Sequence, residues 1–460
     1  MSFTRREFLK CCGKGMSAAT MMTALGYAGL ENAYAQSGSD YKALVCIFLE
    51  GGNDGWNTIV PLGAPNSIYT SNRQGLALPQ GSLLPLTFTG TAPGQFGFHP
   101  RLTGLRTLFN QGRVAVVNNV GNLLQPVTPQ QVLANPSLGP SGLFDHFQQQ
   151  TYSQSLTPSS TLGWGNSVGG NFTAFNAGPL IPMLMTMVNN TPYLKGPAAT
   201  ITLQPNIQLG ITGLPATGAL PPRFAGLQQV AALLDDLAQV NALNGRVSRA
   251  IDDSRVVGSV FSAPPPFTTV FPATNIGDQL RQIAIAISAR GSLGHNRRQL
   301  FYAQVPGNAY DFHGTQLASQ DRLLGELDAA MSAFFDSTMQ LGVANEVTTF
   351  IFSEFGRTIR INGDGSDHGW SNHYLVMGGS VLGGRFYGTF PPVQVGLPEL
   401  DFPLFSVSGN FRGAFIPTIS MDQYGFTLAR WFGLSDAAGL DVFPNLSNFN
   451  ASTRNIGFLG

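Results

Sequence analysis

"KALVCIFLE", Lys42 to Glu50, is a nearly continuous apolar run that stops at "GGNDG", Gly51 to Gly55. A run without polar alternation, ended by glycines, predicts a central strand of a parallel sheet, buried on both faces. "RVAVVNNVG" (Arg113 to Gly121), "QLFYAQVP" (Gln299 to Pro306), "VTTFIFSE" (Val347 to Glu354) and "YLVMGG" (Tyr374 to Gly379) read the same way. Helical patterns lie between and after these runs, near residues 101–112, 277–290, 320–342 and 421–433. Strands alternating with helices predict an α/β fold, a mostly parallel central sheet flanked by helices.

The middle of the chain departs from this rhythm. Residues 122–222 are rich in Pro, Gly, Asn, Thr and Gln with few strong periods, and Arg223 to Asp252 then reads as one or two helices. The sheet-like runs resume afterwards, so residues 122–275 are expected to be a large loop-rich insertion or cap on a single domain.

The 460 residues carry a charged fraction of only 11% and a formal net charge of zero. That excludes the basic field that nucleic-acid binding needs. The N-terminus is more specific. "TRREFLK" (Thr4 to Lys10) has the paired arginines and the Phe-Leu-Lys of a twin-arginine export signal, the mild apolar run "GMSAATMMTALGYAGL" follows, and "AYA" (Ala33 to Ala35) is a small-x-small cleavage site. Residues 1–35 are therefore expected to be a signal peptide, and residues 36–460 a periplasmic or secreted protein without a membrane span. Cleavage there removes Cys11 and Cys12 and leaves Cys46 alone in its apolar run, as a small buried hydrophobe without a disulfide partner.

Only six histidines occur, and the stretch "SEFGRTIRINGDGSDHGWSNHY" (Ser353 to Tyr374) concentrates two of them, His368 and His373, with the carboxylates Glu354 and Asp367. Ligand sites in such sheets collect at the carboxyl ends of the strands. Asp54 follows the first strand, Glu354 closes another, and Asp311 and His313 of "YDFHG" come shortly after a third. Asp367, His368 and His373 lie on the loop leading into "YLVMGG". Imidazole plus carboxylate without thiolate suits a divalent metal, Zn, Mn, Fe or Ca. Arg357, three residues after Glu354, is placed to hold an anionic oxygen. Singly these residues have plainer uses: an Asp after a strand is commonly a helix N-cap, and Arg357 could simply pair with Glu354.

Several motifs together carry a family resemblance. The export signal, "FLEGGNDGWNTIVP" (Phe48 to Pro61), "HPRL" (His99 to Leu102), "YDFHG", "SEFGRT", "SDHGWSNHYLVMGG", "GGRFYG" (Gly383 to Gly388) and "IPTISMDQYGFTLARWFG" (Ile416 to Gly433) resemble the exported, sulfatase-like family catalogued as domain of unknown function 1501. The resemblance implies the alkaline phosphatase superfamily, whose members are metal-dependent phosphatases, sulfatases and phosphomutases. It implies that Asp54 is the first-strand metal carboxylate and that Asp367 and His368 are the late ligand pair. Asp311 and His313 would serve the other metal, His373 would be the last histidine, and Glu354 is an alternative to Asp367. In "LFDHFQQQ" (Leu143 to Gln150) relatives usually carry serine, a nucleophile, where this chain has Asp145. Either Ser141 or another hydroxyl attacks, or Asp145 joins the metal shell, or catalysis has been lost.

The expected function is an exported, metal-dependent hydrolase acting on phosphate or sulfate esters of a small molecule or glycan. Asp54, Asp311, His313, Asp367, His368 and His373 are the expected ligands, Arg357 the anion clamp, and His146 a general acid or further ligand. The rival expectation is a non-catalytic exported binding or assembly protein on the same fold.

Overall fold

The run at Lys42–Leu49 forms strand β1, and every residue after Lys42 is buried. The computed structural model describes residues 40–157, 161–176, 178–189, 191–205, 211–233, 238–404 and 410–460. The expected export signal and its cleavage site lie outside these residues. Tyr41–Gly460 is a compact unit of its own.

Eight further strands complete the main sheet: β2 (Val114–Gly121), β3 (Leu184–Thr186), β4 (Thr200–Thr202), β5 (Arg298–Val305), β6 (Val347–Phe352), β7 (Asn372–Gly378), β8 (Phe386–Tyr387) and β9 (Ile419–Ser420). Their order is β8-β2-β7-β6-β1-β5-β3-β4, with β9 also paired to β2. Strand β1 lies between β6 and β5, parallel to both, with Ala43 opposite Val347 and Gln299. Such a strand has no solvent face, which is why its sequence does not alternate.

Two expectations change. The unalternating run of β7 predicts a parallel strand, but it runs antiparallel to both neighbours. Between Phe352 and Asn372 the chain forms only a hairpin, Arg357–Asn362 paired with Gly365–His368, and no crossover helix. It therefore re-enters the sheet at the edge where β6 ends. The middle segment, in turn, adds β3 and β4 to the sheet, parallel to β5, besides several helices that include Pro222–Ala231 and Ala238–Ser262. Three-residue strands carry too little pattern to be seen in sequence.

Five helices matter for position: α1 (Thr103–Asn110), α2 (His146–Ser155), α3 (Asn275–Ser288), α4 (Gln316–Gln340) and α5 (Met421–Phe432). Helix α3 packs on β5, α4 on α3, and α1 on α4 and β2, while α5 packs on β1 and β2. Thr274 caps α3 by accepting from the Gly277 amide, and Ser420 with Gln423 forms a capping box on α5. The carboxyl ends of β1, β2, β5 and β6 and the start of β7 thus share one edge, where the polar residues collect.

Candidate metal centre

Asp311 is the hub. It lies in the loop after β5, and its carboxylate receives the Arg357 guanidinium. His313 Nε2 stands 3.0 Å from Asp311 Oδ1, His368 Nε2 stands 3.2 Å from the same oxygen, and His146 Nε2 stands 3.3 Å from Oδ2. The two nitrogens of His313 and His368 are 2.9 Å apart. Within this set, His146, Asp311 and His368 form a group of suitable spacing for one cation.

Local structure explains each placement. Arg357 and His368 are cross-strand partners in the hairpin, so both side chains leave on one face. His146 is the first residue of α2, whose start is capped by Asp145 through the Gln148 amide at 2.8 Å. Phe144, two residues earlier, has a left-handed φ of 72°, and its carbonyl accepts from His368 Nδ1 at 2.5 Å. A carbonyl only accepts, so His368 carries a proton on Nδ1, which leaves Nε2 as the nitrogen facing Asp311 and His313. Glu354 does the same for His146, accepting from Nδ1 at 2.8 Å while also accepting from the Gly51 amide at 2.9 Å. The buried Phe355 ring packs against both imidazoles, with centroids 4.9 Å from His146 and 4.5 Å from His368.

The glycines after β1 make room for this wall. Gly51 and Gly52 have φ values of 115° and 81°, which side chains resist. Their carbonyls receive Arg357 Nη2 and Nε at 2.7 and 3.0 Å. A Cβ at Gly52 would stand 2.5 Å from the Phe355 ring.

The electrostatics follow from packing. Burial opposes protonation of His146, but the Asp311 and Glu354 carboxylates outweigh it and push its pKa up to about 9. Burial also opposes ionisation of Asp311, yet the His146, His368 and Arg357 side chains gathered around it hold its carboxyl well below the usual carboxylate range. His313 is lowered, by burial first and then by Arg357. His146 Nε2 is buried and makes no hydrogen bond, so its approach to Asp311 is an ion-pair distance without hydrogen-bond geometry. An orphaned nitrogen, two ring nitrogens facing each other and an ionised carboxylate fit a divalent cation better than they fit one another.

The other expected ligands sit elsewhere. Asp54 caps the short helix Gly55–Thr58 through the Trp56 amide at 3.0 Å and ion-pairs with the wholly buried Arg73, with Gln316 on the same oxygen. Its oxygens are committed. Asp367 precedes His368 on one strand, so alternation turns it to the opposite face. There it accepts from Asn362 Nδ2 at 2.8 Å and lies 3.1 Å from Arg412. His373 is buried, stacks on Phe390 at 4.4 Å, and accepts from the Asn119 amide at 3.3 Å; burial pushes its pKa down to about 3. Arg357 is buried and spends its donors on Asp311 and on the carbonyls of Gly51, Gly52, Tyr310 and Ser366, so it positions Asp311 instead of facing an anion. Asp145 is exposed and occupied as a helix cap. His99 and His295 are buried with internal partners, away from this group.

Residues missed in the sequence are Phe355, Phe144, Gln150 and Glu50. Gln150 bridges Glu50 and Glu354 at 3.3 and 3.5 Å. Phe355 stood in plain view inside "SEFGRT", whereas the Phe144 carbonyl leaves no mark in a sequence.

Residues 286–401 match a family model described as "Protein of unknown function (DUF1501)". The matched stretch contains Asp311, His313, Glu354, Arg357 and His368, and its description names no reaction. No curated protein matches the sequence. A solved structure titled "Crystal structure of the lipoteichoic acid synthase LtaP from Listeria monocytogenes" aligns over 76% of this chain and 67% of that one, at 10% identity and a TM-score of 0.28. A likeness that weak carries no argument about fold or activity. Among the described residues, no helix is long and apolar enough to cross a membrane.

Proposed function

We propose that this protein is an exported, metal-dependent hydrolase of phosphate or sulfate esters. His146, Asp311 and His368 hold the cation, with His313 at the rim. The observation that carries the reading is the convergence of three Nε2 atoms on one carboxylate, with the His146 and His368 tautomers set from behind by Glu354 and the Phe144 carbonyl. A divalent cation bound there would polarise a phosphoryl or sulfuryl oxygen and offset its developing charge. The nitrogen content favours Zn, Mn or Fe over Ca, which prefers an all-oxygen shell.

The chain's own residues supply order and access. Arg357 and Glu354 are nearly inaccessible and fix Asp311 and His146, while the His313 side chain is 51% exposed and gives the group an open side. The twin-arginine pattern at Thr4–Lys10 supports export. Asp145, an exposed cap at the position where the family resemblance implies serine, supports the second reading, a non-catalytic binding or assembly protein. The experiment is turnover of 4-nitrophenyl phosphate and 4-nitrophenyl sulfate by protein loaded with Zn or Mn, with His368→Ala beside it. Turnover lost in the variant supports the hydrolase. Bound metal without turnover of any ester favours the second reading.

A further inference from the structure

Beside the metal-ligand group lies a pocket of about 760 Å³ with predominantly apolar walls. Leu124, Val132, Leu133, Leu143, Phe144 and Phe402 line it, with Ser141 and Tyr152 adding polar atoms. Its size and lining are those of a small-molecule site. The wall belongs to a separate apolar cluster in which Phe402 packs on Trp370, with centroids 5.4 Å apart.

Two features tie this pocket to the candidate centre. Phe144 turns its ring into the pocket wall while its carbonyl holds His368 Nδ1, so one residue belongs to both. Trp370, which backs Phe402, follows His368 by two residues. Leu143 and Phe144, two of the apolar lining residues, are only half-buried. Among the described residues no cationic or carboxylate side chain lines the pocket, which does not suit a second anion.

We infer that the alcohol-derived part of the substrate is apolar, an alkyl chain or aryl ring seated in this pocket, with its phosphate or sulfate toward His146, Asp311 and His368. The inference rests on the hydrolase reading and narrows its substrate class.

Methyl phosphate and octyl phosphate test it, since they share the anionic group and differ only in the chain. Their affinities for metal-loaded protein are measured by calorimetry below the micelle concentration of the octyl ester, and their kcat/KM values by phosphate release. Octyl phosphate should bind about tenfold tighter or more, and Leu133→Asn and Leu124→Asn, each checked for an intact melting transition, should each cut that advantage at least about threefold. Equal affinities in the native protein, or an advantage kept in both variants, would overturn the inference. Hydrolysis of both esters without chain-length dependence removes the subsite and keeps the hydrolase. A chain-length preference in binding with no turnover keeps the subsite and removes the hydrolase.

Discussion

His313 Nε2 lies 2.9 Å from His368 Nε2, and both face Asp311 Oδ1. The His368 Nδ1 proton is committed to the Phe144 carbonyl, so Nε2 is the nitrogen turned toward the other two atoms. A shared cation would resolve this crowding. His313 stands at the exposed rim, so His313→Ala is expected to weaken metal binding about tenfold without abolishing it, whereas His368→Ala abolishes it. Competition against a chromophoric chelator reads the difference, and equal losses in the two variants would contradict the rim assignment.

Glu354 acts through His146. Glu354→Gln keeps the shape but loses the charge that orients the Nδ1 proton, and a ten- to hundredfold loss of metal affinity is expected, about the range for such supporting carboxylates. Unchanged affinity in a folded variant would show that His146 needs no partner behind it.

Arg73 and Asp54 are a structural pair, both wholly buried. Arg73→Met strands a buried carboxylate and should cost about 3–5 kcal/mol in chemical denaturation while leaving metal stoichiometry unchanged. Metal lost together with stability would mean that the Asp54 region belongs to the metal site.

Asp422 supplies a test remote from the centre. It is fully buried at the start of α5, and desolvation, opposed by hydrogen bonds from Asn445 and from its own amide, pushes its pKa up to about 7. The folded value lies above the unfolded one, so its contribution to stability is present below about pH 4 and is lost as pH rises through about 7. Asp422→Asn should flatten that decline, a change on the order of 2–4 kcal/mol across the window. Denaturation midpoints at pH 4, 5.5, 7 and 8 for both proteins measure it, and parallel curves would refute the assignment.

Much of the sheet was legible because β1, β2, β5 and β6 are continuous apolar runs, and burial on both faces leaves that mark. The direction of β7 was not, since an unalternating run looks the same either way. The concentration of His and carboxylate in Ser353–Tyr374 marks a stretch of which Glu354, Arg357 and His368 lie in the candidate centre, while Asp367 and His373 lie outside it. The two-residue turn Gly363-Asp364 predicts a hairpin, and a hairpin forbids Asp367 and His368 from sharing a face. That signal was available and unused. The pairing of Asp54 with Arg73 was out of reach, because nothing in the sequence says that Arg73, 19 residues later at the end of the helix Ala64–Arg73, returns its guanidinium to that carboxylate.

The central claim is that His146, Asp311 and His368 hold a divalent metal. Elemental analysis of the purified protein, with His368→Ala and Asp54→Asn beside it, tests it most directly. About one equivalent of Zn, Mn or Fe is expected in the native protein and in Asp54→Asn, and none in His368→Ala. A folded native protein that neither contains nor takes up metal, or a His368→Ala variant that keeps it, would contradict the claim.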